Sequence, residues 1–260
     1  MRQFIRTIIG ASVCLLLAGC VTNSESILSI EGGKVQGIPT AEGVTCFRGI
    51  PYAAVPVGDL RWREPQPVQP WKGVLMADTF SSASVQSAHK PSDAYYPEFF
   101  FKGDAPFSED CLYLNVWTPA PGREDAKLPV AVWIHGGGFT GGWGHEIEMD
   151  GDAWAERGVI LVTINYRLGV FGFLSHPLLS EEQGLQSGNY GLLDQIAALK
   201  WVRNNIAKFG GDPANVTVFG QSAGARSVEN LVMSDLTDGL FAKAIMMSGG
   251  GVELISSPTD

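Results

Sequence analysis

The chain has 260 residues, 45% of them hydrophobic, and a formal net charge of −9. That length is enough to bury the core of one large domain or two small ones. The acidic balance, with no Lys/Arg cluster and no interleaving of aromatic with basic residues, argues against a nucleic-acid partner and says nothing about a small-molecule one.

At the start of the chain, Arg2 and Arg6 precede an apolar run from Ile8 to Leu17, which ends in Leu17-Ala18-Gly19-Cys20. A positive start, a short apolar stretch and small residues before a cut predict a secretory signal over residues 1–19. The run is too short to span a bilayer permanently. Its small-small-Cys ending resembles a bacterial lipobox, so Cys20 is expected to carry lipid, with residues 20–26 as a short tether. The rival reading is an ordinary signal in which Cys20 is incidental. Val21 stands where an Asp often marks inner-membrane retention. The expectation is therefore a lipoprotein of the cell envelope, held by its anchor at the outer membrane and facing the periplasm or the surface.

Strand-like segments at Ile27–Ile30 and Gly33–Gln36 predict a small antiparallel start, and residues 59–70 read as a Pro-rich loop. Leu112–Trp117, Val130–Ile134, Val159–Ile164, Val216–Phe219 and Ala244–Met247 read as core strands. Between them, Leu192, Leu193, Ile196, Leu199, Val202 and Ile206 recur at helical spacing over residues 192–209. Strands alternating with helices predict an α/β fold, a largely parallel sheet with helices on both faces. A sheet that stopped at Ala244–Met247 would present an unpaired, aggregation-prone edge.

Two motifs carry chemistry. Val216-Thr217-Val218 runs into Phe219-Gly220-Gln221-Ser222-Ala223-Gly224, followed by a helix-compatible segment ending near Met233. This strand, sharp turn and helix is the setting a G-x-S-x-G nucleophile elbow requires. It lifts Ser222 clear of its neighbours, with a helix N-terminus behind it to favour developing negative charge. The apolar run Val130-Ala131-Val132-Trp133-Ile134 leads into His135-Gly136-Gly137-Gly138-Phe139. Consecutive glycines expose backbone N–H groups suited to an oxyanion hole. Alone, the same stretch also reads as a flexible turn.

With these motifs in hand, the chain resembles the type-B carboxylesterases and lipases, which include the cholinesterases, from about Gly33 onward. The resemblance rests on the stretch from Phe209 to Gly224, on Glu109-Asp110-Cys111-Leu112-Tyr113-Leu114-Asn115-Val116-Trp117, and on the glycine loop. Supporting blocks are Arg48-Gly49-Ile50-Pro51-Tyr52-Ala53, Asn165-Tyr166-Arg167-Leu168-Gly169 and Gly188-Asn189-Tyr190-Gly191-Leu192-Leu193-Asp194-Gln195. It implies an α/β-hydrolase fold and hydrolysis of small-molecule esters through an acyl-serine. Ser222 would be the nucleophile and the N–H groups of Gly137, Gly138 and Ala223 the oxyanion hole, with no metal and no organic cofactor. It further implies ion pairs between Arg61 and Glu109 and between Arg167 and Asp194, read as buried. A non-catalytic binding member, like the family's adhesion proteins, is the alternative, disfavoured by the intact Ser222 and triple glycine.

The chain departs from the family in one large respect. In this fold the acid and the histidine base follow the serine in chain order, yet the 38 residues after Ser222 contain no histidine. The four histidines, His89, His135, His145 and His176, all precede it and read as structural or solvated. Members of the family are usually about twice as long. The expectation is that residues 27–260 are the N-terminal part of a hydrolase domain, inactive alone, whose triad acid and base lie elsewhere; a decayed esterase is the variant of that reading. Gln221 stands where cholinesterases carry a glutamate, which weakens the case for a cationic choline ester. Arg226, in the first turn after Ser222, either meets solvent or an acid, or recognises an anionic acyl group. Cys46 and Cys111 are read as two buried thiols, with a disulfide as the alternative in an oxidising compartment. Tyr95, Tyr96, Phe99, Phe100 and Trp143 are candidates for a gorge lining, or for core and loop packing.

Overall fold

The computed structural model describes residues 27–94, 98, 104–184 and 186–249. The signal, Cys20 and the tether fall outside the described residues, as do Tyr95, Tyr96, Phe99 and Phe100. In chain order the strands are β1 (Ile27–Ile30), β2 (Gly33–Gln36), β3 (Ile38–Ala41), β4 (Val44–Pro51), β5 (Val74–Met76), β6 (Tyr113–Thr118), β7 (Leu128–Ile134), β8 (Ile160–Ile164), β9 (Gly211–Gln221) and β10 (Lys243–Met247). The helices are α1 (Asp152–Ala155), α2 (Gly169–Phe173), α3 (Pro177–Gln183), α4 (Tyr190–Asn205) and α5 (Ala223–Val232).

The antiparallel pair β1–β2 takes β5 as a third, parallel strand. The main sheet has the order β10-β9-β7-β8-β6-β4-β3. It is mixed. From β10 to β8 all neighbours are parallel, as expected for strands joined by helix-bearing crossovers. From β8 to β3 all neighbours are antiparallel. The cause is local at one end, where only Glu42 and Gly43 separate β3 from β4, a link too short for anything but a hairpin.

Side chains alternate across the sheet and both faces are buried, which is why the central strands read as continuous apolar runs. Val130, Val132 and Ile134, with Ile160, Val162, Ile164, Val216 and Val218, face a large core shared with Leu199 and Val202 of α4 and Val228 and Leu231 of α5. Ala131, Trp133, Leu161 and Phe219 face a smaller core with Trp117 and Ala155, against which Trp154 and Phe80 pack. Each fully buried side chain of this size contributes about 1.5–3 kcal/mol. The predicted helix over 192–209 is α4, extended by a 3₁₀ turn at Ile206–Phe209 that stops at Gly210, whose φ is 87°. At α3, Pro177 occupies the first turn and His176 Nδ1 accepts from the N–H of Leu178.

β10 is the outer strand of the sheet, and Ile245, Met246 and Met247 on it are 51%, 46% and 36% exposed.

Candidate active site

Ile134 at the end of β7 is in register with Gly220 near the end of β9. The two chemically suggestive loops therefore leave the carboxyl ends of neighbouring parallel strands, where sites in open α/β sheets form. The two loops approach closely at their glycines. A Cβ on Gly224 would lie 2.1 Å from the carbonyl oxygen of Ile134, and one on Gly136 would lie 3.4 Å from the Ser222 Cβ. A side chain at Gly224 would not fit between the loops.

Ser222 has φ 54° and ψ −117°, a backbone conformation ordinarily left to glycine. Two main-chain hydrogen bonds hold it: the Ser222 N–H donates to Met247 O at 2.9 Å, and the Arg226 N–H donates to Ser222 O at 3.1 Å. Its hydroxyl does not cap α5, and the residue is half-buried. Gly137 and Gly138 are exposed, with φ 97° and 62°. The Gly137 carbonyl accepts from the N–H groups of Thr140 and Gly141, each at 3.0 Å, so the loop closes on itself. Among the described residues, the N–H groups of Gly137, Gly138 and Ala223 find no protein acceptor. An unpaired donor is costly once it is desolvated and is then free to bind an anionic oxygen.

A family profile described as the carboxylesterase family matches residues 24–257. The chain belongs to that family. It is 49% identical over 230 residues to the para-nitrobenzyl esterase of Bacillus subtilis (strain 168), covering 87% of this chain and 44% of that relative. It is 48% identical over 223 residues to the fumonisin B1 esterase of Sphingopyxis macrogoltabida, covering 85% of this chain and 39% of that one. A solved structure of PNB esterase superimposes with a TM-score of 0.76 at 46% identity, over 87% of this chain and 44% of the other. The fold is that of the α/β-hydrolases, and the chain spans about two fifths of the length of these relatives.

The two ion pairs suggested by the family resemblance are both formed, but only one is buried. Arg167 Nη2 lies 2.7 Å from Asp194 Oδ1, Nε donates to Oδ2 at 2.8 Å, and the Arg167 N–H donates to Oδ2 at 3.0 Å. The two side chains are 3% and 0% exposed. Burial pushes the Asp194 carboxyl up, and the charge and hydrogen bonds of Arg167 oppose that shift. Arg61 meets Glu109 bidentately at 2.5 and 2.7 Å, yet their side chains are 37% and 22% exposed. The expectation of burial is corrected for this pair, because both residues lie in turns or bends outside the sheet and their side chains stay partly open to solvent. The Arg61 hydrogen bond nevertheless holds the Glu109 carboxyl below its usual range.

The histidines are each engaged. His135 is buried, stacked on Tyr166 at 4.3 Å, and lowered to about 4 by burial. His145 stacks on Phe80 at 4.4 Å and is also lowered to about 4 by burial. His89 Nδ1 lies 2.6 Å from Asp104 Oδ1, and His176 caps α3. Cys46 and Cys111 are free and buried; burial pushes the Cys46 thiol up to about 12, and that of Cys111 further still. Both are therefore poor nucleophiles.

Trp143 is buried and lines a cavity of about 280 Å³ together with Phe80, Asp104, Trp117, His145 and Glu146. Arg226 is half-buried on the first turn of α5. One residue of the site left no mark in the sequence: Gln86, whose side chain grips the far end of the glycine loop.

Proposed function

We propose that the chain carries the nucleophile and oxyanion hole of a serine carboxylic ester hydrolase acting on small-molecule esters. The observation that carries this reading is the strained Ser222 lying against the glycine loop, with the N–H groups of Gly137, Gly138 and Ala223 finding no acceptor among the described residues. The Ser222 hydroxyl attacks the ester carbonyl, its proton passing to a general base. The tetrahedral oxygen takes the three N–H bonds, and collapse releases the alcohol and leaves an acyl-serine that water then hydrolyses. In this fold the base and its orienting acid follow the serine in chain order, and every histidine of the described residues precedes Ser222, so the reading assigns neither role within residues 27–249. The relatives are more than twice as long as the matched segment.

The test is p-nitrophenyl butyrate turnover and fluorophosphonate labelling of the full-length polypeptide. Turnover and labelling that both vanish in Ser222→Ala are expected. Turnover that survives Ser222→Ala overturns the reading.

The N-terminal sequence supports export as a lipoprotein anchored at Cys20 in the cell envelope, at the outer membrane. A radioactive fatty acid is expected to label the native chain and not Cys20→Ala; equal labelling refutes the anchor.

A further inference from the structure

The geometry points to Gln86 as a positioning residue for the oxyanion hole, an inference that rests on the esterase reading of Ser222 and the glycine loop. Six glycines lie between positions 136 and 144. Such a glycine-rich segment loses much conformational freedom on ordering. Phe139, packed on Phe173, and the buried Trp143 anchor it by their side chains, and the glycines between them are placed by hydrogen bonds to their backbone.

At the near end the loop is fixed by β7 and by the bonds from Thr140 and Gly141 to the Gly137 carbonyl. At the far end it is fixed by Asn165 Oδ1, which accepts from the Gly144 N–H at 2.7 Å, by Glu146 Oε1, which accepts from the Trp143 N–H at 3.3 Å, and, nearest in sequence to the donors, by Gln86 at Gly142. The Gln86 Oε1 accepts from the Gly142 N–H at 2.8 Å, and Nε2 donates to the Gly142 carbonyl at 3.0 Å. One primary amide thus satisfies both polar groups of a single residue 56 positions away in sequence. The second Nε2 hydrogen goes to Ser84 O at 3.1 Å. Reversing the amide would set N–H against N–H, so the orientation is determined.

Gly142 needs such a clamp. Its φ is 97°, and a Cβ there would stand 2.6 Å from His135 Nδ1 and 2.9 Å from the Gly136 carbonyl oxygen, so no side chain can do the fixing from within. The clamp is itself anchored. The Ser84 hydroxyl accepts from the Leu168 N–H at 3.0 Å, and Ala83 is bonded on both sides, its N–H to Pro106 O at 2.8 Å and its carbonyl to the Ser108 N–H at 2.9 Å. Gln86 therefore transmits the position of the anchored Ala83-Ser84 backbone to the donors at Gly137 and Gly138.

Gln86 touches no reacting atom, and its contribution is expected in the transition state rather than in substrate binding. Displacing oxyanion donors by a fraction of an ångström costs rate, because they are aimed at the tetrahedral oxygen and not at the ground-state carbonyl.

The test uses the full-length esterase with p-nitrophenyl butyrate and a trifluoromethyl ketone as tetrahedral analogue. Gln86→Met keeps the volume and removes both bonds; Gln86→Glu keeps the acceptor for the Gly142 N–H alone. The expected result is a kcat lowered about 10–100-fold in Gln86→Met, with KM within a factor of about two and analogue affinity falling in parallel with kcat. Gln86→Glu is expected to fall between Met and wild type, and it carries the test if Gln86→Met does not fold. Wild-type kcat in either variant, or a change confined to KM, overturns the inference. A wild-type enzyme that neither turns over nor is labelled at Ser222 overturns the esterase reading, and this inference with it.

Discussion

The N–H of Ser222 donates to the carbonyl of Met247 at 2.9 Å, so the last residue of β10 holds the elbow in its strained conformation. The strand that flanks β9 thus acts on the serine through its main chain, whatever side chain stands at Met247. The strain itself is measurable.

Ser222→Gly and Ser222→Ala both remove the proposed nucleophile, and both are expected to abolish turnover. They differ in stability. A φ of 54° with ψ −117° is open to glycine and costs any residue bearing a Cβ about 1–3 kcal/mol. Ser222→Gly is expected to match or exceed the wild type in urea denaturation and to exceed Ser222→Ala by about 1 kcal/mol. Equal stability of the two variants would show that the elbow stores no strain.

Gly224→Ala places a methyl group 2.1 Å from the Ile134 carbonyl oxygen and 2.8 Å from that of His135. Neither backbone can retreat without parting β7 from β9. The expected outcome is a loss of about 3 kcal/mol or more, seen as a lowered urea midpoint or insoluble expression. Gly43→Ala, in the β3–β4 hairpin with nothing within 4 Å, serves as the comparison and should cost only its φ penalty.

The two ion pairs should separate in the same experiment. Asp194→Asn leaves the buried Arg167 guanidinium without its counter-charge, for an expected loss of about 3–5 kcal/mol. Glu109→Gln removes a solvent-screened partner, and its loss should be a small fraction of that. Comparable losses would contradict the difference in burial.

Burial, with Glu148 adding to it, pushes the Glu146 carboxyl up to about 8 from 4.5. Between those values the folded chain holds a proton that the unfolded chain has released, so stability is lost as pH rises through the window. Glu146→Gln is neutral throughout. Its stability relative to wild type is expected to start near zero at pH 4.5 and to grow by at most about 1.4 kcal/mol per pH unit towards pH 8. His135 and His145, lowered to about 4 by burial, act in the opposite sense, and their contribution is lost as pH falls from 6.5. Reading the difference between variant and wild type cancels their effect. A flat difference from pH 4.5 to 8 contradicts the prediction.

Much of this architecture was legible in the residues. β1 and β2 fall at the predicted positions, and β6, β7, β8 and β10 begin within two residues of theirs, because apolar runs bounded by turns leave little choice. The strand β4 was not legible. Its alternation breaks between Phe47 and Ile50, where the register to β6 shifts and Gly49 takes φ 66°, so no period of two survives in the sequence. The antiparallel half of the sheet was likewise hidden, since a strand's own pattern does not record the direction of its neighbour. The elbow and glycine loop announced themselves because glycine is demanded at fixed offsets. Gln86 did not, because a side-chain amide that bonds a backbone 56 residues away obeys no local spacing. The partial exposure of Arg61 and Glu109 was invisible for a related reason: a motif names partners and not the depth at which they meet.

The donors at Gly137, Gly138 and Ala223 belong to the main chain, and this decides how they can be probed. Truncating a side chain removes none of them, so an alanine scan would pass over the proposed oxyanion hole and report only the strain it introduces. Proline deletes an N–H but also breaks the turn. Replacing one amide by an ester through α-hydroxy acid incorporation, for instance lactic acid in place of Ala223, exchanges a single N–H for an oxygen and leaves the chain's course intact. In this site the chemistry is legible to backbone synthesis and silent to ordinary mutagenesis.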